Sequence, residues 1–185
     1  MIVTELNQFK ELFSLLHCDV VEARNRLSKE KNEYNRRSYV RAFFAFVEGC
    51  MASMKSVSLA SAESRIVHFS VAEVALLREE MYDLSDSGKP RITQRFLPTA
   101  KNFRFANSMF EKALHCSHHI VYSGLGWQQF QRALEIRYRI THPKKSVDPR
   151  ISDQEAAIIR DAAVWWSDNI RKLIQSIDLT SRNAC

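Results

Sequence analysis

Glycine and proline are scarce in this 185-residue chain, with only four of each. These residues most often interrupt helices and form turns, so few breaks divide the sequence. No glycine-rich stretch has the spacing of a phosphate-binding loop, and no internal repeat or low-complexity tract is present. The apolar residues recur mostly three or four positions apart, as in amphipathic helices. We therefore predict an all-α fold.

Cysteine is scarce as well, and the four cysteines are scattered at Cys18, Cys50, Cys116 and Cys185. They form no CxxC pair of the kind that binds zinc, and a chain of this size needs no disulfides, so we expect reduced thiols. No run approaches the roughly 18 apolar residues of a membrane span. The N-terminal MIVTELNQFKEL lacks the basic-then-apolar order of a signal peptide. These absences predict a cytoplasmic protein with no membrane partner.

The composition is otherwise ordinary for a folded protein, with 45% apolar and 26% charged residues. The length suits a single domain over residues 1–185. The periodicity predicts a bundle of five to seven helices. Helices are expected over 4–16, 35–57, 70–84, 100–114, 127–141 and 152–177, with an exposed helix or connector over 19–31. The helix over 35–57 is expected to be central and buried on more than one side. Thr4 is the expected N-cap of the first helix, and capping boxes are expected at Ser70 with Glu73 and at Ser152 with Glu155. Residues 85–99 are expected to form a loop with a short extended piece at 91–96, and residues 179–185 a frayed tail.

Positive charge is in excess and unevenly distributed. The chain carries a formal net charge of +6. From Arg132 to Arg150 there are six basic and two acidic residues, so this stretch contributes four of those charges. Such an excess favours a polyanionic partner such as RNA, although a solvated basic face would have the same composition.

Within this basic stretch, residues 136–145 read IRYRITHPKK and place four residues between Arg137 and His142. Proline disfavours the helical conformation of the residue before it, so Pro143 predicts that the helix stops at about Thr141. In a continuous helix the two side chains would lie roughly 140° apart around the axis. Ending the helix frees His142 to approach a surface that Arg137 also reaches.

In this pattern the chain resembles the HEPN domains (higher eukaryotes and prokaryotes nucleotide-binding), whose mark is an arginine followed a few residues later by a histidine. The continuation of the motif into Pro143 and Lys144 is similar to the family. A helix containing WQQFQRA leads into the motif, and a capped helix with two tryptophans follows it. The earlier apolar stretch RAFFAFVEG, which contains an acid, is similar as well.

The resemblance implies a dimeric, all-α, HEPN-like bundle that cleaves RNA without a metal or other cofactor. Many members act as toxins of toxin–antitoxin and other defence systems, which makes an antitoxin protein a further expected partner. Arg137 and His142 would be the catalytic residues.

The chemistry suits these residue types. Metal-free RNA cleavage requires that the 2′-hydroxyl lose a proton, that the phosphorane be stabilised, and that the 5′-oxygen gain a proton. Histidine titrates near pH 6.5 and serves as acid or base, while arginine offers a charged, planar fork to phosphate oxygens. One histidine cannot readily be acid and base at once, so a two-fold dimer with both pairs in one cleft would supply the second.

Several neighbouring residues would support the catalytic pair. Glu48 lies in an apolar stretch, where an unpaired carboxylate is costly. It could form a structural ion pair, either with Arg41 two helical turns earlier or with a residue of another helix, or it could orient an arginine of the cleft such as Arg137. Thr141 could donate to phosphate or cap the helix end. The expected RNA contacts are Arg139, Lys144 and Lys145.

Two alternatives remain open from the sequence. The arginine is followed by Tyr138 instead of the small polar residue frequent in the family, which favours a non-catalytic module that binds RNA, a nucleotide or a protein. A helical structural or regulatory subunit is a further alternative. The histidines and cysteine of HCSHH, residues 115–119, have spacings compatible with zinc, but no second ligand pair accompanies them, and no metal site is expected.

Overall fold

The structure, a computed structural model, describes residues 1–177; the tail expected to fray, residues 179–185, lies outside the described residues. The described chain is mostly helical, which confirms the predicted class, and its six helices fall in the predicted range. In chain order the elements are α1 (Ile2–Lys29), α2 (Glu33–Glu63), α3 (Val71–Leu77), β1 (Glu80–Leu84), β2 (Pro90–Gln94), α4 (Thr99–Leu114), α5 (Gly124–Thr141) and α6 (Asp153–Gln175).

Helix α2 forms the centre of the bundle and packs against each of the other five helices. Its apolar residues point in several directions, so Phe43, Phe44 and Val47 are all almost fully buried. The ring of Phe46 lies 4.7 Å from that of Trp166 on α6, edge to face. The prediction of a central helix buried on more than one side is confirmed.

The same apolarity makes α2 the one helix within residues 1–177 that could cross a membrane by length and composition. Its most apolar window has a mean hydropathy of 1.2, and 56% of that window is buried inside the protein. The core helix of a soluble protein has this pattern, and a single such helix is weak evidence for a membrane span.

The first two predicted segments form one continuous helix. The expected N-cap at Thr4 and the break after residue 16 are both wrong, because α1 begins at Ile2 and continues to Lys29. No glycine or proline interrupts this stretch. Leu16, Val20 and Leu27 continue to pack against the core, so the apolar stripe does not end where the charged residues begin.

The predicted helix over 70–84 is right only in its first half. Ser70 and Glu73 form the expected capping box, but α3 ends at Leu77. Glu79 then adopts a left-handed conformation with φ of 58°, and its carboxylate lies 2.6 Å from the buried Nζ of Lys55. This contact with α2 turns the chain out of the helix.

An antiparallel hairpin follows α3. Strand β1 pairs with β2, so residues 85–99 are not all loop, and the predicted extended piece becomes a strand of the hairpin. The turn between the strands uses Gly88 at φ of 73°, and its N–H donates to the carbonyl of Ser85 at 2.8 Å.

Helices α5 and α6 pack closely, and this packing positions the motif. A Cβ on Gly126 would lie 2.1 Å from Cδ1 of Trp165, so only glycine allows the two helices to approach this closely. Helix α6 begins with the predicted capping box of Ser152 and Glu155. The loop between α5 and α6 begins at His142 and contains the residues that follow the motif's histidine.

Candidate functional site

Helix α5 ends where Pro143 predicts that it should end. The helix stops at Thr141, and His142 is its C-cap in a non-helical conformation, with φ of −127° and ψ of 59°. The N–H of His142 still donates to the carbonyl of Tyr138 at 3.0 Å. The hydroxyl of Thr141 donates to the carbonyl of Arg137 at 2.8 Å, so its contact in the structure is with the helix end.

Arg137 forms an ion pair with Glu48 across the α2–α5 interface. Its Nη2 lies 2.7 Å from Oε1 of Glu48, and the two side chains are 25% and 39% exposed. Of the two arginines named as partners for Glu48, Arg137 is the one that forms the ion pair in the structure. Arg41 is exposed and forms no ion pair with Glu48 or with any other acid of residues 1–177.

An open groove of about 410 Å³ runs beside Arg137. One wall is α5, with Gln131, Leu134, Glu135, Arg137 and Tyr138, and the other is the first turn of α4, with Thr99 and Ala100. The N-cap of α4 is Pro98, and no side chain caps this helix start. The first N–H groups of a helix lack intrahelical acceptors and carry partial positive charge, so this end of α4 favours an anion nearby, whereas Glu135 on the α5 wall opposes one.

A smaller cavity of about 190 Å³ lies on the other side of Thr99. It is lined by Glu48, Met51, Ala52, Lys55, Glu79, Leu97, Thr99 and Asn102. Glu48 therefore contacts Arg137 and also borders this cavity.

His142 is exposed, and its ring lies against that of Tyr138, which lines the groove, whereas His142 itself does not line it. The two rings have centroids 5.0 Å apart at an angle of 48°, and Tyr138 is 60% exposed. Within residues 1–177, no hydrogen bond or ion pair joins His142 to Arg137. In one chain, Arg137 thus contacts Glu48 and His142 contacts Tyr138, and the two predicted catalytic residues do not contact each other through a hydrogen bond or ion pair.

The loop after His142 is held by Asp148. Its Oδ2 accepts the N–H groups of Lys144 at 2.7 Å and Lys145 at 2.9 Å. These backbone hydrogen bonds hold the pKa of Asp148 below its ordinary value. Both lysine side chains are exposed, with no ion pair to any described residue, so they remain available to an anion.

Arg139 has a different environment from the lysines. Its Nη1 donates to the carbonyls of Asp148 at 2.6 Å and Arg150 at 2.8 Å, and its Nη2 pairs with Glu155 of α6. The guanidinium fastens the α5–α6 loop, and its charge is neutralised within the chain. Because Arg137 is also paired, the basic stretch has a weaker local field than its composition predicts.

The histidine-rich stretch after α4 offers no metal cluster. His119 Nδ1 lies 2.8 Å from Oε2 of Glu111, and the buried Nε2 of His118 has no hydrogen-bond partner in the described part of the chain. Over residues 1–177, no three His, Cys, Asp or Glu side chains are grouped to hold a metal ion.

The sequence did not point to several residues of this site. Thr99 and Ala100 reach the groove only because α4 packs beside α5, and no local pattern indicates that approach. Asp148 had a weak signal, since an aspartate shortly after KKS can accept backbone N–H groups in a turn.

Comparison of the chain with known protein families, curated proteins and solved structures gives no significant match. Its function is therefore inferred from its residues and their geometry.

Proposed function

We propose that the protein is a metal-independent endoribonuclease of the HEPN type, a cytoplasmic homodimer that acts as a toxin or defence effector. The observation that carries the proposal is the position of Arg137. Its guanidinium is oriented by Glu48 at the edge of an open groove, five residues before the exposed His142.

Arg137 is suited to bind a phosphate while it remains paired. A guanidinium has five N–H donors, and Glu48 is its one partner among residues 1–177. The remaining donors can reach phosphate oxygens, which attract them more strongly as negative charge builds in the phosphorane. The first turn of α4 adds its partial positive charge on the opposite wall.

His142 is suited to transfer protons because it is exposed and no acid of residues 1–177 pairs with its ring. A single copy would act as base on the 2′-hydroxyl or as acid on the 5′-oxygen, but not both. A second copy, related by a two-fold axis that brings the two α5 ends together, would supply the other group. Lys144 and Lys145 would contact the RNA backbone, whereas the donors of Arg139 are already engaged.

A cleavage assay with purified protein and labelled RNA in EDTA tests this proposal. His142→Ala and Arg137→Ala should each reduce the rate by roughly 100-fold or more, the range for loss of an acid–base group or of transition-state charge stabilisation. His68→Ala and Arg171→Ala, which change exposed residues away from the groove, serve as matched controls. Full cleavage by pure His142→Ala would refute the assignment.

Two further measurements test the biological setting. Expression of the wild-type protein should arrest growth, and His142→Ala should relieve the arrest. Light scattering should give the mass of a dimer. An antitoxin partner would appear as a protein that suppresses both the arrest and the cleavage.

A second candidate, a non-catalytic RNA-binding module, is favoured by the aromatic pair of Tyr138 and His142. Tyr138 exposes an aromatic face on which a base could stack, a contact worth about 1–3 kcal/mol per base. This candidate predicts tight RNA binding without cleavage and at least a fivefold loss of affinity in Tyr138→Ala.

A further inference from the structure

A pocket of about 440 Å³ lies where the end of α1, the start of α2 and the start of α6 converge. It involves neither Arg137 nor His142. Four basic side chains line it against a single acid: Arg24, Lys31, Arg36 and Arg160 against Asp153. The remaining lining is mostly apolar or small: Leu27, Ser28, Tyr39, Ala156 and Ala157.

The basic side chains of this pocket are only partly neutralised by the chain. Arg36 is engaged, since it pairs with Asp153 and donates to the carbonyl of Ile151 at 2.6 Å. Arg24 and Lys31 have no ion pair with any described residue. Arg160 has only its exposed neighbour Asp161, at 3.7 Å. Like charges at one site repel each other, and a bound anion removes that cost.

Tyr39 adds a polar group between the cations. It lines the pocket and is 6% exposed, and within residues 1–177 its hydroxyl has no hydrogen-bond partner. Burial raises the pKa of Tyr39, while the charges of Arg24 and Arg160 act to lower it, so both cations lie close to the phenol. A neutral phenol can donate to an anion held between them.

We propose that this pocket binds a small organic phosphate. The phosphate would lie between Arg24, Lys31 and Arg160, with the hydroxyl of Tyr39 as an additional donor. The organic part would cover Leu27 and the alanines of α6. The volume is within the range of small-molecule sites, roughly 300–1,000 Å³, and an inorganic ion alone would leave the apolar lining exposed to water.

Titration calorimetry at low ionic strength, with the full chain, tests this inference. The probes are AMP as the organic phosphate, inorganic phosphate as the bare ion, and adenosine as the uncharged counterpart. AMP should bind more tightly than inorganic phosphate, and adenosine should not bind measurably. Arg24→Ala, Lys31→Ala and Arg160→Ala should each weaken AMP binding roughly tenfold or more, as expected for a lost charge-assisted hydrogen bond.

Tyr39→Phe removes the hydroxyl but keeps the ring and its packing, and it should weaken AMP binding severalfold. Arg171→Ala, an exposed arginine elsewhere on α6, should leave it unchanged. Thermal unfolding without ligand checks that each variant is folded. RNA cleavage need not change, so this inference and the proposed function can fail separately.

Three results would overturn the inference. The first is that AMP does not bind. The second is that AMP binds equally well to Arg24→Ala, Lys31→Ala and Arg160→Ala, while Arg137→Ala abolishes its binding. The third is binding of a 5′-phosphorylated oligonucleotide without binding of AMP, which would assign the pocket to an RNA end.

Discussion

Glu48 of α2 and Arg137 of α5 are far apart in the sequence and form an ion pair, with 2.7 Å between Oε1 and Nη2. Both side chains are partly exposed, and pairs of this kind contribute at most about 1 kcal/mol to the free energy of unfolding. The main effect of the pair is directional, because it fixes the guanidinium of Arg137 at the edge of the groove.

From this orientation we predict a loss of catalysis with little loss of stability. If the protein cleaves RNA, Glu48→Ala should lower kcat about tenfold or more, since small misplacements of a catalytic group are costly, and should change KM less. Glu48→Gln, which keeps an acceptor oxygen, should recover part of the rate. Single-turnover cleavage and urea unfolding measure the two effects.

Glu63→Ala is the matched control for Glu48→Ala. It removes another partly exposed ion pair of α2, in which Glu63 lies 3.0 Å from Nη2 of Arg78, away from the groove. It should leave kcat unchanged. An unaltered kcat in Glu48→Ala would show that Arg137 needs no carboxylate to hold it.

Arg139 is predicted to stabilise the α5–α6 loop. Arg139→Ala removes donors to two carbonyls and the partner of Glu155, so it should lower the free energy of unfolding by about 2 kcal/mol. Amide exchange should become faster over residues 143–152. Arg150→Ala, which removes an exposed side chain but keeps the accepting carbonyl, should have neither effect.

Helix ends that depend on neighbouring residues in the sequence were predicted better than the full extent of each helix. The capping boxes at Ser70 and Ser152, and the stop before Pro143, depend on neighbours in the sequence and were confirmed. The predicted end of α3 was wrong, because the observed end depends on the contact between Lys55 and Glu79, which are distant in sequence.

The candidate site shows the same division. The sequence predicted where α5 ends and named Arg41 and Arg137 among the possible partners of Glu48, but only the packing of α5 against α2 selects Arg137. The groove wall from α4 was not foreseen because it arises from tertiary packing. Arg139 was predicted to contact RNA because of its charge. The carbonyls that it binds belong to a loop whose conformation could not be predicted from the sequence.

Gly126 is predicted to be intolerant of a larger side chain. A Cβ at this position would lie 2.1 Å from the indole of Trp165, so Gly126→Ala must displace the ring or separate α5 from α6. We expect a loss of about 1–3 kcal/mol, typical of overpacking, with a change in tryptophan fluorescence. Leu125→Ala, at an exposed neighbouring position, is the control. Unchanged stability in Gly126→Ala would mean that the helices approach less closely.

The loop after His142 should respond to acid through Asp148. The hydrogen bonds from Lys144 and Lys145 hold the pKa of this carboxyl below 3.8, its ordinary value. A group with a depressed folded-state pKa contributes stability at higher pH, and that contribution is lost as pH falls through the folded pKa. The two hydrogen bonds to Asp148 should therefore be present at neutral pH and weaken only in acid, below the ordinary pKa of an aspartate. NMR titration of the Lys144 and Lys145 amides should report the change, with Asp148→Asn removing the titration while keeping an acceptor oxygen. A midpoint above 3.8 would contradict the hydrogen bonding described for this loop.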